Sequence, residues 1–154
     1  MRRKYMLGFL ITLASPAFGA DSIVMGRALG ESYAARSPCA EDEICLDALF
    51  RWVINPEKTV AGPKLKGRIV ALRFQHVDVT SPYLQSLRLL VLRPIAEVGV
   101  PHSSDVEYVL VSPSPIYGDG NYCISVDPSI SGLKLKKVTV ANDGDYCFDH
   151  KLLQ

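Results

Sequence analysis

The chain has 154 residues, 17 Lys and Arg against 16 Asp and Glu, a net charge of +1 and four cysteines. So even a balance gives no general electrostatic reason to hold nucleic acid or an anionic lipid surface. No run beyond the first twenty residues is long and apolar enough to span a bilayer as a helix.

The opening stretch, MRRKYMLGFLITLASPAFGA, places Arg2, Arg3 and Lys4 before an apolar run from Tyr5 to Ala14 and then small residues with a proline. That order is the pattern of a secretory signal, and the apolar run is half the length of a membrane span. Cleavage after Gly19 puts Ala17 and Gly19 at the small-residue subsites; Ala20 is the alternative boundary. Residues 1–19 are therefore set aside and 20–154 are read as one disulfide-linked β domain. Losing three basic and no acidic residues turns 17 against 16 into 14 against 16, a net charge of −2. About 135 residues remain, enough to bury a core.

DSIVMGRALGESY shows no helical stripe and predicts a twisted first strand, followed by the polar loop ARSPCAEDEIC. In LDALFRWVINPEKTV, Phe50, Trp52 and Ile54 share one parity, as in a half-buried strand, and Pro56 demands an edge, bulge or bend. AGPK at Ala61–Lys64 reads as a turn into KGRIVALRFQH, where Val70, Leu72 and Phe74 alternate with Ile69, Ala71, Arg73 and Gln75. The pair predicts an antiparallel hairpin whose Arg51 and Arg73 form an outward polar patch, with Trp52 in the core. VTSPYLQSLR is the one short helix suggested, capped by Thr80 or Ser81 with Pro82 at its first position. RLLVLRPI predicts a buried strand stopped by Pro94, and VEYVLVS another, which PSPIYGDG cannot continue. NYCISV resumes extended structure, and GLKLKKVTVA predicts a long final strand with lysines guarding its edge. Six or seven short strands with at most one short helix predict an all-β fold, a small OB-like Greek-key barrel.

Four cysteines in an exported chain predict two disulfides. Three pairings are possible; Cys39–Cys45 and Cys123–Cys147 are favoured, because the first closes the tight loop CAEDEIC and the second joins two echoed segments, DGNYCIS and DGDYCFD. Cys-x5-Cys and Cys-x23-Cys do not match the paired spacing of zinc ribbons. Asn142, Asp143, Asp145 and Asp149 offer oxygen ligands but lack the EF-hand spacing and its Glu, so Asp-Gly is read as a turn signal and the echo as a staple. No metal or cofactor is expected.

The order Val24, Gly26, Arg27, then Val60-Ala61-Gly62-Pro63, then Gly67, Ile69 and Ala71 resembles the opening of secreted OB-fold domains of the netrin-like type, including tissue inhibitors of metalloproteinases. The chain also looks like small exported bacterial proteins carrying the same hairpin followed by a Gln-His pair, here Gln75 and His76. The likeness covers about the first half of the exported part and implies a barrel with a surface used for binding. Those inhibitors act through a Cys at the mature N-terminus, and this chain would begin at Ala20 or Asp21, so that mechanism does not transfer.

No Gly-x-Ser-x-Gly elbow, His-Glu-x-x-His pair or phosphate-cradling loop occurs. His76 ends a strand near Arg73 and Gln75, whereas His102 and His150 are read as solvated. The expected role is a periplasmic or secreted binding or inhibitory module for another envelope or extracellular protein, without catalysis, nucleic acid or an integral membrane span. The candidate contact residues are Arg51, Arg73, Gln75, His76, Tyr83, Tyr117 and Tyr122. A small exported hydrolase using His76, or a structural subunit of an envelope assembly, is the alternative.

Overall fold

The computed structural model describes residues 21–36, 48–75, 85–100, 102–117, 119–135 and 137–153. The leader, Cys39 and Cys45, His76, Tyr83 and residues 79–84 of the stretch suggested as a short helix lie outside them. Strands β1 (Ser22–Arg36), β2 (Ala48–Ala61), β3 (Ile69–Gln75), β4 (Arg88–Pro94) and β5 (Tyr108–Pro115) close into a barrel of order β1-β2-β3-β5-β4. Only the β3–β5 contact is parallel. This is the OB-like arrangement anticipated from the sequence.

β1 and β2 pair along their whole length, while the first five residues of β1 also pair with β4, from Ser22 opposite Leu92 to Gly26 opposite Arg88. Serving both neighbours bends β1, and four register shifts mark the bend. Gly26 sits at one of them: a Cβ there would meet the Asn55 carbonyl oxygen at 2.8 Å and the Pro56 Cα at 3.2 Å. Pro56 itself is tolerated because β3 pairs with β2 only as far as Ile54 opposite Ile69, leaving that side of β2 without a β3 partner from Asn55 onward.

Three apolar clusters follow from this topology. Val24, Trp52, Ile54, Ala71, Leu90 and Leu92 are among the residues filling the barrel. Leu49, Leu72, Ile95, Val106 and Val109 form a second cluster on the outside of β2 and β3. The third lies beneath a second sheet of β6 (Asn121–Ile124), β7 (Thr139–Val140) and β8 (Tyr146–Asp149), ordered β6-β8-β7, and takes Ile23, Leu89, Val91, Tyr122 and Phe148. β4 is therefore buried on both faces, which is why LLVL reads as a continuous apolar run.

Two expectations change here. β5 does continue through Pro113 and Pro115. On the β6 side, β6 is held by side chains: the Cys123 amide donates to Ser114 Oγ at 2.9 Å and the Ser125 amide to Ser112 Oγ at 3.3 Å. Prolines alternate with these serines without costing a ladder bond there. The long final strand is reduced to Thr139–Val140. Residues 132–135 instead form an irregular strap whose Leu133 and Leu135, like Val138 further on, pack inward, so an apolar-polar alternation arises without strand pairing.

The echo proves to be one turn used twice. The Tyr117 amide donates to the Asn121 carbonyl and the Gly120 amide back to the Tyr117 carbonyl; Ala141, Asp145 and Gly144 repeat the pattern. Gly120 (φ 81°) and Gly144 (φ 88°) occupy the left-handed region that the turn requires. Beyond each turn Cys123 and Cys147 face each other across β6 and β8, their Cα atoms 4.1 Å apart, and are joined as a disulfide. Because the Cys123 amide is turned to Ser114, the pair occupies a non-hydrogen-bonded position, where facing side chains are closest. Replacing both cysteines by serine is expected to cost about 3 kcal/mol in urea unfolding, the chain-entropy value for a closed loop of this size.

Candidate functional site

Arg51 and Arg73 do not form a common patch. In the β2–β3 register Arg51 lies opposite Leu72 and Phe50 opposite Arg73, so period-2 alternation sends the two guanidinium groups to opposite faces. Ile69 and Ala71 face the barrel interior, and Arg73 and Gln75 continue that face towards its mouth. The Arg73 guanidinium lies 5.1 Å from the Trp52 ring centroid, close enough for a cation–π contact. Gln75 is buried and donates from Nε2 to Glu31 Oε2 at 2.9 Å. Arg88, fully buried, shares the inward face of β4 with Leu90 and Leu92. One end of the barrel interior is thus polar.

On the outer face, Arg51 borders an open groove of about 420 Å³ lined by Ala34 and Ala35 of β1, Leu49 of β2, Leu72 of β3, and His102, Ser103 and Val106 of the β4–β5 connection. Leu49, Leu72 and Val106 are buried and form its apolar floor. The rim is polar: Arg51 is paired with Asp105, which also accepts from Ser103 Oγ at 2.5 Å, and His102 Nδ1 lies 2.8 Å from the Val100 carbonyl. The Ser103 hydroxyl, and after it the Arg51 guanidinium, hold the Asp105 carboxyl below its ordinary range. The bridge fixes the otherwise flexible Arg51 chain across one end of an apolar floor. Small residues on the β1 side leave the groove open, and the arrangement suits a partner side chain that is apolar in its body and polar at its tip.

A second cleft, of about 310 Å³, opens where β3 and β5 part after pairing only through Ala71–Tyr108 and Leu72–Val109; Arg73, Phe74 and Arg93 line it. Arg93 holds the buried Asp21 carboxylate through two bonds of 3.0 and 2.9 Å, which raise its own pKa. This pair ties the start of β1 to the end of β4.

The tyrosines separate. Tyr117 is 49% exposed beside its turn, whereas Tyr122 is completely buried in the cluster under the second sheet and presents no ring to solvent. Its hydroxyl, pushed up in pKa by burial, has no hydrogen-bond partner among the described residues. His150, expected in solvent, is docked on the echo turn with Nδ1 2.7 Å from the Gly120 carbonyl. Among the described residues no three His, Cys, Asp or Glu side chains are grouped to hold a metal. Sequence reading missed the contribution of the β4–β5 connection. The usable signal was Ser103-x-Asp105 ahead of the buried Val106, a polar rim beside a floor residue.

No family model, curated protein or solved structure matches the chain.

Two outcomes test this geometry. Tyr122→Phe is expected to be neutral or to stabilise by up to about 1 kcal/mol in chemical unfolding, since it deletes an unsatisfied buried hydroxyl at almost constant shape. Asp105 has a depressed folded pKa, so its contribution to stability is present above the unfolded value near 3.8 and is lost as pH falls through the lower folded value. A carboxyl NMR titration is expected to show this midpoint rising part-way in Arg51→Gln and further when Ser103→Ala is added.

Proposed function

We propose that the chain is an exported binding or inhibitory module of the OB type, akin to secreted netrin-like domains, that holds another envelope or extracellular protein in the groove beside Arg51. The single observation that carries the reading is an open groove, floored by the buried Leu49, Leu72 and Val106, beside an arginine already fixed by Asp105. Partner anchors are typically apolar or aromatic side chains seated in such pockets, and pre-fixed rim groups reduce the ordering cost of binding. The position also fits the fold: OB barrels bind on the face of their second and third strands, flanked by the loops after strands one and four.

Export is supported by two observations of different kinds. The first twenty residues follow the pattern of a cleaved leader. The Cys123–Cys147 disulfide belongs to chemistry that persists in oxidising compartments. No described helix is long and apolar enough to cross a membrane.

The test is quantitative capture of envelope proteins by the purified domain, compared with Arg51→Glu. The variant is expected to lose its partner by at least about tenfold in affinity, roughly 1.4 kcal/mol, while Tyr122→Phe, which alters only the buried cluster, retains it. Equal capture by wild type and Arg51→Glu would overturn the assignment of this groove.

A further inference from the structure

The net charge conceals an uneven distribution. From Lys58 to Arg68 the chain carries Lys58, Lys64, Lys66 and Arg68 and no acidic residue; from Pro128 to Asn142 it carries Lys134, Lys136 and Lys137, again with none. The described cations of both segments are exposed. Lys58 donates to the Leu153 carbonyl at 2.6 Å, whereas Lys64, Lys66, Arg68, Lys134 and Lys137 make no ion pair with a described residue.

The fold anchors both segments on the start of β1. Ser22 Oγ donates to the Pro63 carbonyl at 3.1 Å, fixing the turn that bears Lys64. The 3-10 turn Pro128–Ser131 packs on β1, and the strap with Lys134 leaves directly from it. Val60 and Ala61 of the first segment and Leu133, Leu135 and Val138 of the second turn into the same apolar cluster, so the alternating lysines are left on the water side of each. Along the first segment runs an open groove of about 500 Å³, from Pro56 to Leu65, lined by Lys58 and Lys64 and by one carboxylate, Glu57, which is paired with Arg27 at 2.8 Å.

We infer that this surface is a binding site for a linear acidic polysaccharide, distinct from the groove beside Arg51. Lysine ammonium groups are compact charges on flexible stems, suited to a row of carboxylates along a polymer and without the fixed fork by which arginine selects a single planar anion. No aromatic residue occurs between Trp52 and Phe74 or between Tyr122 and Tyr146, so neither segment offers the stacking rings that single-stranded nucleic acid grooves use. A groove following an extended strand suits a chain better than the flat face of a bilayer. A local excess of cations attracts a polyanion even on a molecule of opposite net charge, because the field is felt within about 10 Å, the screening length at 0.1 M salt.

The experiment is fluorescence anisotropy of labelled alginate, a linear carboxylated polysaccharide, titrated with the purified, disulfide-intact protein. Binding is expected in dilute buffer and is expected to weaken by about tenfold or more near physiological salt. The triple variant K64Q/K66Q/R68Q and, separately, K134Q/K137Q should each weaken it several-fold with an unchanged near-UV circular dichroism spectrum, whereas Arg36→Gln, at the far end of β1, should leave it unaltered. The proposal is overturned by no binding in dilute buffer, by binding indifferent to salt or to both sets of substitutions, or by binding to phosphatidylglycerol vesicles without binding to alginate.

Discussion

The structure depends on β1 serving two neighbours at once. Its first residues lie between β2 and β4, and its later ones continue along β2 alone, so the strand must bend where it leaves β4. Gly26 stands at that departure, where the β2 backbone comes too close for any side chain. The bend closes the sheet, and closure removes most of the exposed strand edges that an open five-stranded sheet would present. Asp21 and Arg93 bind the start of β1 to the end of β4, and Ser22 holds the turn after β2. The same few residues of β1 therefore organise the barrel, the β2–β3 connection and the seat of the second sheet.

The second sheet solves a different problem. Closing the barrel leaves Ile23, Leu89 and Val91 pointing outward, and a sheet of strands only 4, 2 and 4 residues long needs its apolar face covered. Each makes good the other's deficit: the sheet covers the apolar outer face, and the barrel supplies a floor for Tyr122, Ile124 and Phe148. Their junction uses the hydroxyls of Ser112 and Ser114 in place of a continuous ladder. The disulfide then fixes β6 to β8 at a point where neither strand need move, and the duplicated turn delivers each cysteine to that point.

Much of this was legible in the residues. Phe50, Trp52 and Ile54 announced their shared face, LLVL announced a strand covered on both sides, and the two Asp-Gly-x-Tyr-Cys segments announced a matched pair of turns bearing bonded cysteines. Alternation failed where both parities were covered. In β3, Ala71 faces the barrel and Leu72 the outer cluster, so the pattern alone could not say which way Arg73 points. The residue pairing settles it: the chain between β2 and β3 is longer than the Gly-Pro turn suggested, because β2 runs on to Ala61 beside β1 while β3 begins only at Ile69. Leu133 and Leu135 misled for a related reason, since inward packing imposes alternation on a strap as readily as on a strand.

The candidate groove was half visible for the same cause. Arg51 stood out as a charge among apolar neighbours, but Ser103, Asp105 and Val106, which complete rim and floor, lie about fifty residues away in the chain and meet it only through the β4–β5 connection. That separation also argues for a binding role. A surface arginine needed only for solubility gains nothing from an exposed bridge, since such pairs contribute at most about 1 kcal/mol and are screened by salt. Held beside Leu49 and Leu72, the same bridge has a steric use: it keeps the guanidinium at the rim of the groove. The barrel makes this possible by placing Leu49 and Leu72 in a cluster outside its core, so that a groove can form over them without loosening the interior around Trp52.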